Sequence, residues 1–364
     1  MNKAPTTACE PSIWKVDWPE ARAAMARWWN GDGLALHVTA PKDEPWEPFP
    51  APSPAPDFET HWLSVEHRLQ RELHRLSTTF FGGVAAPMFN ADIGPGTLGL
   101  FLGAKPVLDV DTVWSKPIID DPDSAPPIRF TTETDSWRAY NAILDAAREA
   151  APGRFLVGYP DIIENLDTLQ QLRGAQPLVW DLIERPDWVQ KSLREINHAH
   201  SACMDLLTPK VMDPWGGSCT TCFDIWGPGK TMKIECDFMV MISPAMFREF
   251  VMEPMAELAA SLDNVLFHVD GPEALPNLDN VLSMPYVNAV EFTPRYGQPW
   301  GGHPMWYDLY KRIKDGGKAV QAVFVEPEEV MPLLDAVGPD GMFVMTKCQT
   351  EAEAHALLRQ TGWE

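Results

Sequence analysis

The chain has 364 residues, with 51 acidic against 29 basic side chains and a formal net charge of −22. Nucleic-acid affinity depends mainly on Lys and Arg that neutralise phosphates, so this charge argues against nucleic acid and anionic membranes as partners. No apolar run approaches the ~20 residues that cross a bilayer, and the opening residues lack the apolar core of a signal peptide. We therefore expect a soluble cytoplasmic protein.

Residues 1–60 are predicted to form an extension and residues 61–364 the main domain, because a Pro-rich segment separates them. The extension holds a predicted helix at 19–31, a strand at 34–40 and the Pro-rich residues 41–58, which cannot form a regular helix. One interpretation of the Pro-rich segment is a surface loop or linker. The other is an arm that covers the pocket or packs on the second subunit of a homodimer.

Apolar spacing of three to four residues then predicts an amphipathic helix over 58–79. A Gly/Pro-interrupted passage follows, in which Asn90 and Asp92 precede the tight turn at Gly94. Such glycines let the backbone approach a ligand closely, which makes Asn90 a candidate for substrate binding and Asp92 for catalysis. The same glycines could equally serve only to turn the chain.

From residue 154 onward strands and helices alternate regularly. The pattern predicts a strand at 155–161, a helix at 178–199, a long loop at 215–231 and a helix at 244–262 that Ser243 caps. Thr350 and Glu353 predict a capping box for a last helix at 350–362. This alternation is typical of an α/β fold with a parallel sheet and indicates a (β/α)8 barrel. Tyr159 and Asp161 follow the residues FLVG of the strand at 155–161, so both are candidate catalytic residues at the mouth of the barrel.

Four potential metal ligands stand at the ends of short apolar runs: His268, Asp270, Glu291 and Cys348. Because side chains at the carboxyl ends of barrel strands converge, these four are predicted to form one metal site. Asp270 could instead cap the turn at Gly271. Cys348 could instead be a small buried apolar residue.

Other residues carry weaker signals. The six cysteines are too few and too unevenly spaced for a secreted disulfide-rich domain, and the single CxxC of Cys219 and Cys222 is poor evidence for structural zinc.

Tryptophans in Gly/Pro-rich loops, among them Trp215 and Trp226, are explained mostly by core packing. On the catalytic face they would provide a flat apolar wall for a substrate or a corrin ring.

Several segments resemble the uroporphyrinogen decarboxylase superfamily, in particular its zinc-dependent methyltransferases. They are GPGTLGLFLG, YPDIIENLDTLQQLRG, IWGPGKTMKIECDF, ISPAMFREFV, FHVDGPEALPNLDNVL and VMTKCQTEAEAHALL, from about residue 80 to the end. The resemblance implies a distorted (β/α)8 barrel with Glu235 and Asp237 near its mouth, where Glu235 is a candidate for substrate binding and Asp237 for general-base catalysis.

Methyltransferases of this superfamily bind zinc through a His-x-Cys pair, often a later Glu, and a distant Cys. The same order occurs here at His268, Glu291 and Cys348, but Asp270 stands where the family has Cys. A carboxylate in place of a thiolate gives a harder centre, suited to an oxygen-bearing ligand. The corrinoid would arrive on a partner protein, since the chain has no corrinoid-binding segment of its own.

The decarboxylases of the superfamily resemble the chain less, because their amino-terminal arginine-rich signature and carboxyl-terminal Gly-His-Gly segment have no counterpart here. We therefore predict a zinc-dependent methyltransferase that moves a methyl group between a small substrate and a corrinoid or thiol acceptor. The first alternative is a metal-free decarboxylase acting on a non-porphyrin substrate, with Asp92 or Asp161 protonating a carbanion. The second is a binding protein that retained the barrel without the chemistry.

Overall fold

The computed structural model describes residues 13–363, so Cys9 and the start of the predicted extension lie outside the described residues. Strands and helices alternate along most of the chain. The strands are β1 (Ala35–Pro41), β2 (Thr79–Gly83), β3 (Met88–Phe89), β4 (Lys105–Leu108), β5 (Val113–Lys116), β6 (Leu156–Val157), β7 (Gly217–Thr220), β8 (Ile225–Pro228), β9 (Thr231–Glu235), β10 (Asn264–Asp270), β11 (Ala289–Thr293), β12 (Ala319–Val325) and β13 (Met342–Lys347). The α-helices are α1 (Trp18–Trp28), α2 (Phe58–Leu63), α3 (Val65–Ser77), α4 (Thr97–Phe101), α5 (Asp135–Ala150), α6 (Asn165–Arg173), α7 (Ala175–Glu184), α8 (Pro186–Val211), α9 (Pro244–Phe250), α10 (Met252–Ala259), α11 (Leu278–Leu282), α12 (Tyr307–Asp315), α13 (Val330–Val337) and α14 (Glu351–Gln360).

A seven-stranded, mostly parallel sheet forms the centre of this α/β fold. Its strand order is β2-β1-β13-β12-β11-β10-β9, and only β2 is antiparallel to its neighbour. The ladder is open, with β2 and β9 at its edges. Three two-stranded sheets accompany it: β3 with β6, β4 with β5, and β7 with β8. A parallel bridge between Tyr159 and Thr220 links the chain after β6 to β7.

Both faces of the central sheet are covered, as is usual for parallel strands. In β10, Val265 and Phe267 belong to a large apolar cluster shared with the helices, whereas Leu266 belongs to a second cluster with α1. The strand register aligns one row of residues on the Leu266 face: Glu235, His268, Glu291, Gln321, Phe343 and Ala35. We call this the site face.

Three predicted helices are each divided in two, and the one predicted over 244–262 forms α9 and α10 on either side of Val251. The helix predicted over 58–79 breaks at Ser64, whose side chain accepts a hydrogen bond from the His67 N–H and so begins α3. The helix predicted over 178–199 breaks at Arg185 because the residue before a proline disfavours helical backbone, and α8 begins at Pro186.

The predicted helix caps are present. Ser243 accepts from the Met246 N–H, and Thr350 accepts from the Glu353 N–H. The Glu353 side chain differs from a full capping box, because it accepts from the Gln349 N–H rather than from the N-cap backbone.

The predicted loop at 215–231 is a β-hairpin in the structure. Strands β7 and β8 pair from Gly217 with Pro228 to Thr220 with Ile225, and the 3-10 turn Thr221–Phe223 joins them. Asp224 closes the turn in the left-handed conformation, with φ of 49°. The sequence did not predict these two strands because Gly and Pro dominate both ends of the segment.

The predicted extension contributes to the main sheet, since β1 pairs with both β13 and β2. The Pro-rich residues that follow carry no regular element up to α2 and lie against the sheet edge: Trp46 Nε1 donates to the Thr79 carbonyl at 3.0 Å. The boundary at residue 60 stays a prediction. Among the described helices, none has both the length and the apolar character needed to cross a bilayer.

Candidate functional site

Three side chains converge at the carboxyl ends of β9 and β10. Glu235 ends β9, Asp237 opens the following 3-10 turn, and His268 lies near the end of β10. One potential ligand atom from each lies within 4.8 Å of the other two. His268 Nε2 is 3.8 Å from Asp237 Oδ1. We call these three residues the ligand group.

Glu291 fixes the orientation of the His268 ring. The Nδ1–H of His268 donates to Glu291 Oε2, and Thr293 Oγ1 donates to Glu291 Oε1 at 2.7 Å. Burial alone would lower the pKa of His268. The attraction of the adjacent Glu291 carboxylate for the imidazolium is stronger than this effect and raises the pKa of His268 to about 10. Nε2 is therefore directed toward Asp237.

Asp237 is placed by its backbone. The N–H groups of Asp237 and Phe238 each donate to a carboxylate oxygen of Asp167 at 2.7 Å. Burial holds the pKa of Asp167 well above its usual range, with Asp237 adding to the effect. The Oδ1 atom of Asp237 is buried beside His268 and has no hydrogen-bond partner among residues 13–363, while the Asp237 side chain as a whole is 46% exposed. A buried unpaired carboxylate oxygen is costly unless something else binds it.

Lys233 joins two carboxylates of the site. Its Nζ donates to Asp161 Oδ1 and Glu235 Oε2, both at 2.7 Å, and its side chain is only 1% exposed. Burial disfavours the charged amine, but Asp161 and Glu235 raise the pKa of Lys233 well above its usual value. Burial also raises the pKa of Glu235 to about 7. The Glu235 N–H donates to Glu164 Oε1 at 2.8 Å, which fixes the end of β9.

Asp92 adjoins this network. Its Oδ1 accepts from the Asp161 N–H at 3.0 Å, and its own N–H donates to Asn90 Oδ1 at 2.8 Å. Burial, followed by repulsion from Asp161, raises the pKa of Asp92 to about 7. The guanidinium of Arg68 bonds the main-chain carbonyls of Asp92 and Asn90, not the Asp92 carboxylate.

The site carries a large excess of acid. Seven carboxyl groups stand against two basic side chains: Asp92, Asp161, Glu164, Asp167, Glu235, Asp237 and Glu291 against Lys233 and His268. Carboxylates held this close in a buried region must share protons or bind a cation. The arrangement thus suits either proton transfer or cation binding.

The four predicted metal ligands are brought together only in part. His268 and Glu291 are in contact, but Glu291 occupies Nδ1 of His268 as its hydrogen-bond acceptor. Asp270 is exposed at the end of β10, close enough for His268 to affect its charge but outside the ligand group. Cys348 packs in the apolar cluster shared with the helices, and burial raises its pKa to about 11.

Three other predicted site residues lie apart from the ligand group. Tyr159 is fully buried, and its hydroxyl donates to Thr208 Oγ1 of α8 at 3.0 Å. Trp226 Nε1 donates to Asp213 Oδ2 at 2.6 Å, and the rings of Trp215 and Trp226 pack edge-on against Trp18 of α1. These tryptophans form a cluster with α1 instead of a substrate wall.

The sequence did not identify Lys233, Glu164 or Asp167 as residues of this site. One signal could have identified Lys233: residues 231, 233 and 235 alternate to the same face of a strand, so Lys233 shares the face of Glu235. Glu164 offers no such periodicity, because it lies in the irregular segment before α6.

A cavity of about 800 Å³ lies beside the ligand group, at the carboxyl ends of β1, β12 and β13. Phe223 and Thr293 line it, and the Phe223 ring packs on His268 with centroids 4.8 Å apart. The cavity is therefore next to the ligand group, with Phe223 at the boundary.

Comparison with known proteins assigns no relative: no protein-family model and no curated protein matches this chain.

Proposed function

We propose that this chain is a metal-dependent enzyme in which Glu235, Asp237 and His268 hold the metal. The observation that carries the proposal is the convergence of one carboxylate oxygen or imidazole nitrogen from each within 4.8 Å. Three protein ligands that leave a further position open are the pattern of catalytic zinc sites.

The surrounding residues fit such a metal. A metal-bound histidine usually donates its second N–H to a carboxylate, and Glu291 accepts that hydrogen bond from His268. The unpaired Oδ1 of Asp237 and the excess of carboxyl groups also favour a cation. The donors are oxygen and nitrogen, without Cys348, so the site suits a harder metal environment than the thiolate-rich sites of the resembling methyltransferases.

We further propose that the fold is a (β/α)8 barrel. The parallel pairing of β3 with β6 and the parallel bridge from Tyr159 to Thr220 support this proposal, because in a barrel these segments would lie between the two edges of the central sheet. In such a barrel the ligand group would lie at the catalytic, carboxyl-terminal face.

The reaction we propose is methyl transfer between a small oxygen-bearing substrate and a thiol or a corrinoid carried by a partner protein. Zinc, when bound, would polarise the substrate oxygen or activate the acceptor. Lys233 holds the carboxylates of Asp161 and Glu235 in place. Asp92, with a pKa of about 7, can hold or release a proton beside Asp161 at neutral pH.

The same Asp92 favours a second candidate, a metal-free decarboxylation. A buried carboxyl that remains protonated near neutral pH can donate its proton to a carbanion after loss of carbon dioxide. Metal content separates the two candidates, because the decarboxylase needs none.

The test is the metal content of protein purified without chelator, measured by mass spectrometry for the wild type and three variants. We expect about one zinc per wild-type chain, loss of zinc in His268→Ala and Asp237→Asn, and retention in Cys348→Ser. Circular dichroism checks that each variant is folded. Loss in Cys348→Ser would restore the sequence-predicted ligand set, and no metal in the wild type after added zinc would overturn the proposal.

A further inference from the structure

The cavity beside the ligand group has the features of a substrate subsite. We propose that it binds a small molecule with a flat apolar ring and one carboxylate-type anionic group. This inference deepens the proposed function, and rests on it for the claim that the bound molecule is the substrate.

The first support is the position of Phe223. Gln321 Nε2 donates to the Phe223 carbonyl at 2.8 Å, which anchors the hairpin turn to the site face. The Phe223 ring packs on His268, and Phe223 also lines the cavity. A ring stacked along Phe223 would therefore have its reacting end beside the ligand group.

The second support is an aromatic pair in the lining of the cavity. Trp300 and Phe324 both line it, with ring centroids 4.9 Å apart. Phe324 has φ of 55° and is 57% exposed, so the fold holds a large apolar side chain at the surface in an unfavourable backbone conformation. Asp224, also left-handed, lines the same cavity. Backbone strain of this kind is concentrated at ligand sites.

The third support is the charge and polarity of the lining. The side chain of Lys347 is exposed and has no hydrogen-bond or ion-pair partner among residues 13–363. His37 Nδ1 is a buried polar atom of a lining residue and has no hydrogen-bond partner in the described part of the chain. The carboxylates of Asp224 and Glu326 and the guanidinium of Arg75, which bonds Glu72, also line the cavity, so among the described lining residues Lys347 is a cation that remains available for an anionic group.

The aromatic contact and the charge can be tested separately by calorimetry on metal-free protein. The probes are 2-naphthoate, which has a ring and a carboxylate, 2-naphthylmethanol, which has only the ring, and acetate, which has only the charge. We expect 2-naphthoate to bind most tightly. Trp300→Ala should weaken both naphthalene probes roughly tenfold. Lys347→Gln should weaken 2-naphthoate roughly threefold and leave 2-naphthylmethanol unchanged.

Matched controls are Trp114→Ala and Lys105→Gln, exposed residues of the β4–β5 hairpin that do not line the cavity. The proposal is overturned if 2-naphthoate binds no better than both partial probes, or if Trp300→Ala and Lys347→Gln behave like these controls. His268→Ala separates this inference from the proposed function. If that variant loses metal but binds 2-naphthoate normally, the subsite stands; if the wild type binds 2-naphthoate but no metal, only the metal proposal fails.

Discussion

The Nδ1–H of His268 is bonded to the fully buried carboxylate of Glu291, so the opposite nitrogen, Nε2, is left for Asp237. The two residues lie directly opposite each other on adjacent parallel strands, β10 and β11. A rigid sheet thus sets the orientation of the one imidazole in the ligand group.

Loss of the Glu291 charge should weaken metal binding. Glu291→Gln keeps the shape of the side chain but makes the imidazole less basic, and we expect a tenfold to hundredfold loss of zinc affinity. Competition with a zinc-binding dye measures it. Glu257→Gln is the control, because it makes the same change at an exposed carboxylate of α10 outside the ligand group. Equal affinity in both variants would show that Glu291 does not support the metal.

Removal of Lys233 should destabilise the fold strongly. Lys233→Met leaves the carboxylates of Asp161 and Glu235 without their shared cation, and we expect a loss of about 3–5 kcal/mol in the free energy of unfolding. Urea denaturation of metal-free protein measures it. Lys15→Met is the control, because Lys15 is also a buried lysine with a carboxylate partner. That partner, Asp17, is half exposed, so we expect a smaller loss in the free energy of unfolding. A similar loss in both variants would contradict the predicted role of the buried pairs.

Asp92 should make stability depend on pH. Its pKa is raised by burial from 3.8 to about 7, so the folded state keeps a proton that the unfolded state releases. Its contribution is therefore fully present below pH 3.8, is lost as pH rises toward 7, and amounts to roughly 4 kcal/mol over that range. Asp92→Asn cannot ionise and should become increasingly more stable than the wild type between about pH 4 and 7.

Urea denaturation at a series of pH values measures this difference. Asp205→Asn, at an exposed position of α8, controls for the removal of one negative charge. A difference between wild type and Asp92→Asn that stays constant with pH would show that Asp92 does not titrate in this range.

Trp226 should matter for stability and not for the site. Trp226→Phe removes the hydrogen bond to Asp213, and we expect about 1–3 kcal/mol of destabilisation with unchanged zinc content. Thermal denaturation and metal analysis provide the two measurements, and Trp114→Phe is an exposed control. Loss of zinc in the folded Trp226→Phe variant would show that Trp226 contributes to the functional site after all.

The sequence predicted which strands carry polar ends, and therefore that His268 and Glu291 meet, whereas the contact between Asp92 and Asp161 was not predicted. It did not predict the place of Cys348, because strand alternation decides the face: Phe343 belongs to the site face, whereas Val344 and Cys348 pack toward the helices. A pattern of ligand types along the chain does not contain that information.

Two further features were not predicted from the sequence, each for a physical reason. The ion pairs of Lys233 depend on Asp161, which is 72 residues away in the chain, and a lone lysine in a strand is ordinarily expected to face solvent. The packing of Trp215 and Trp226 against α1 depends on the hairpin, which Gly- and Pro-rich sequence did not distinguish from a loop.

The pairing of β1 with β13 has a consequence for synthesis of the protein. Ala35 lies beside Phe343, so β1 is translated about 300 residues before the strand that becomes its parallel neighbour. At ordinary elongation rates the interval is on the order of tens of seconds. Throughout that time β1 can pair only with β2, and its other edge is a target for chaperones or for the edge strand of another nascent chain.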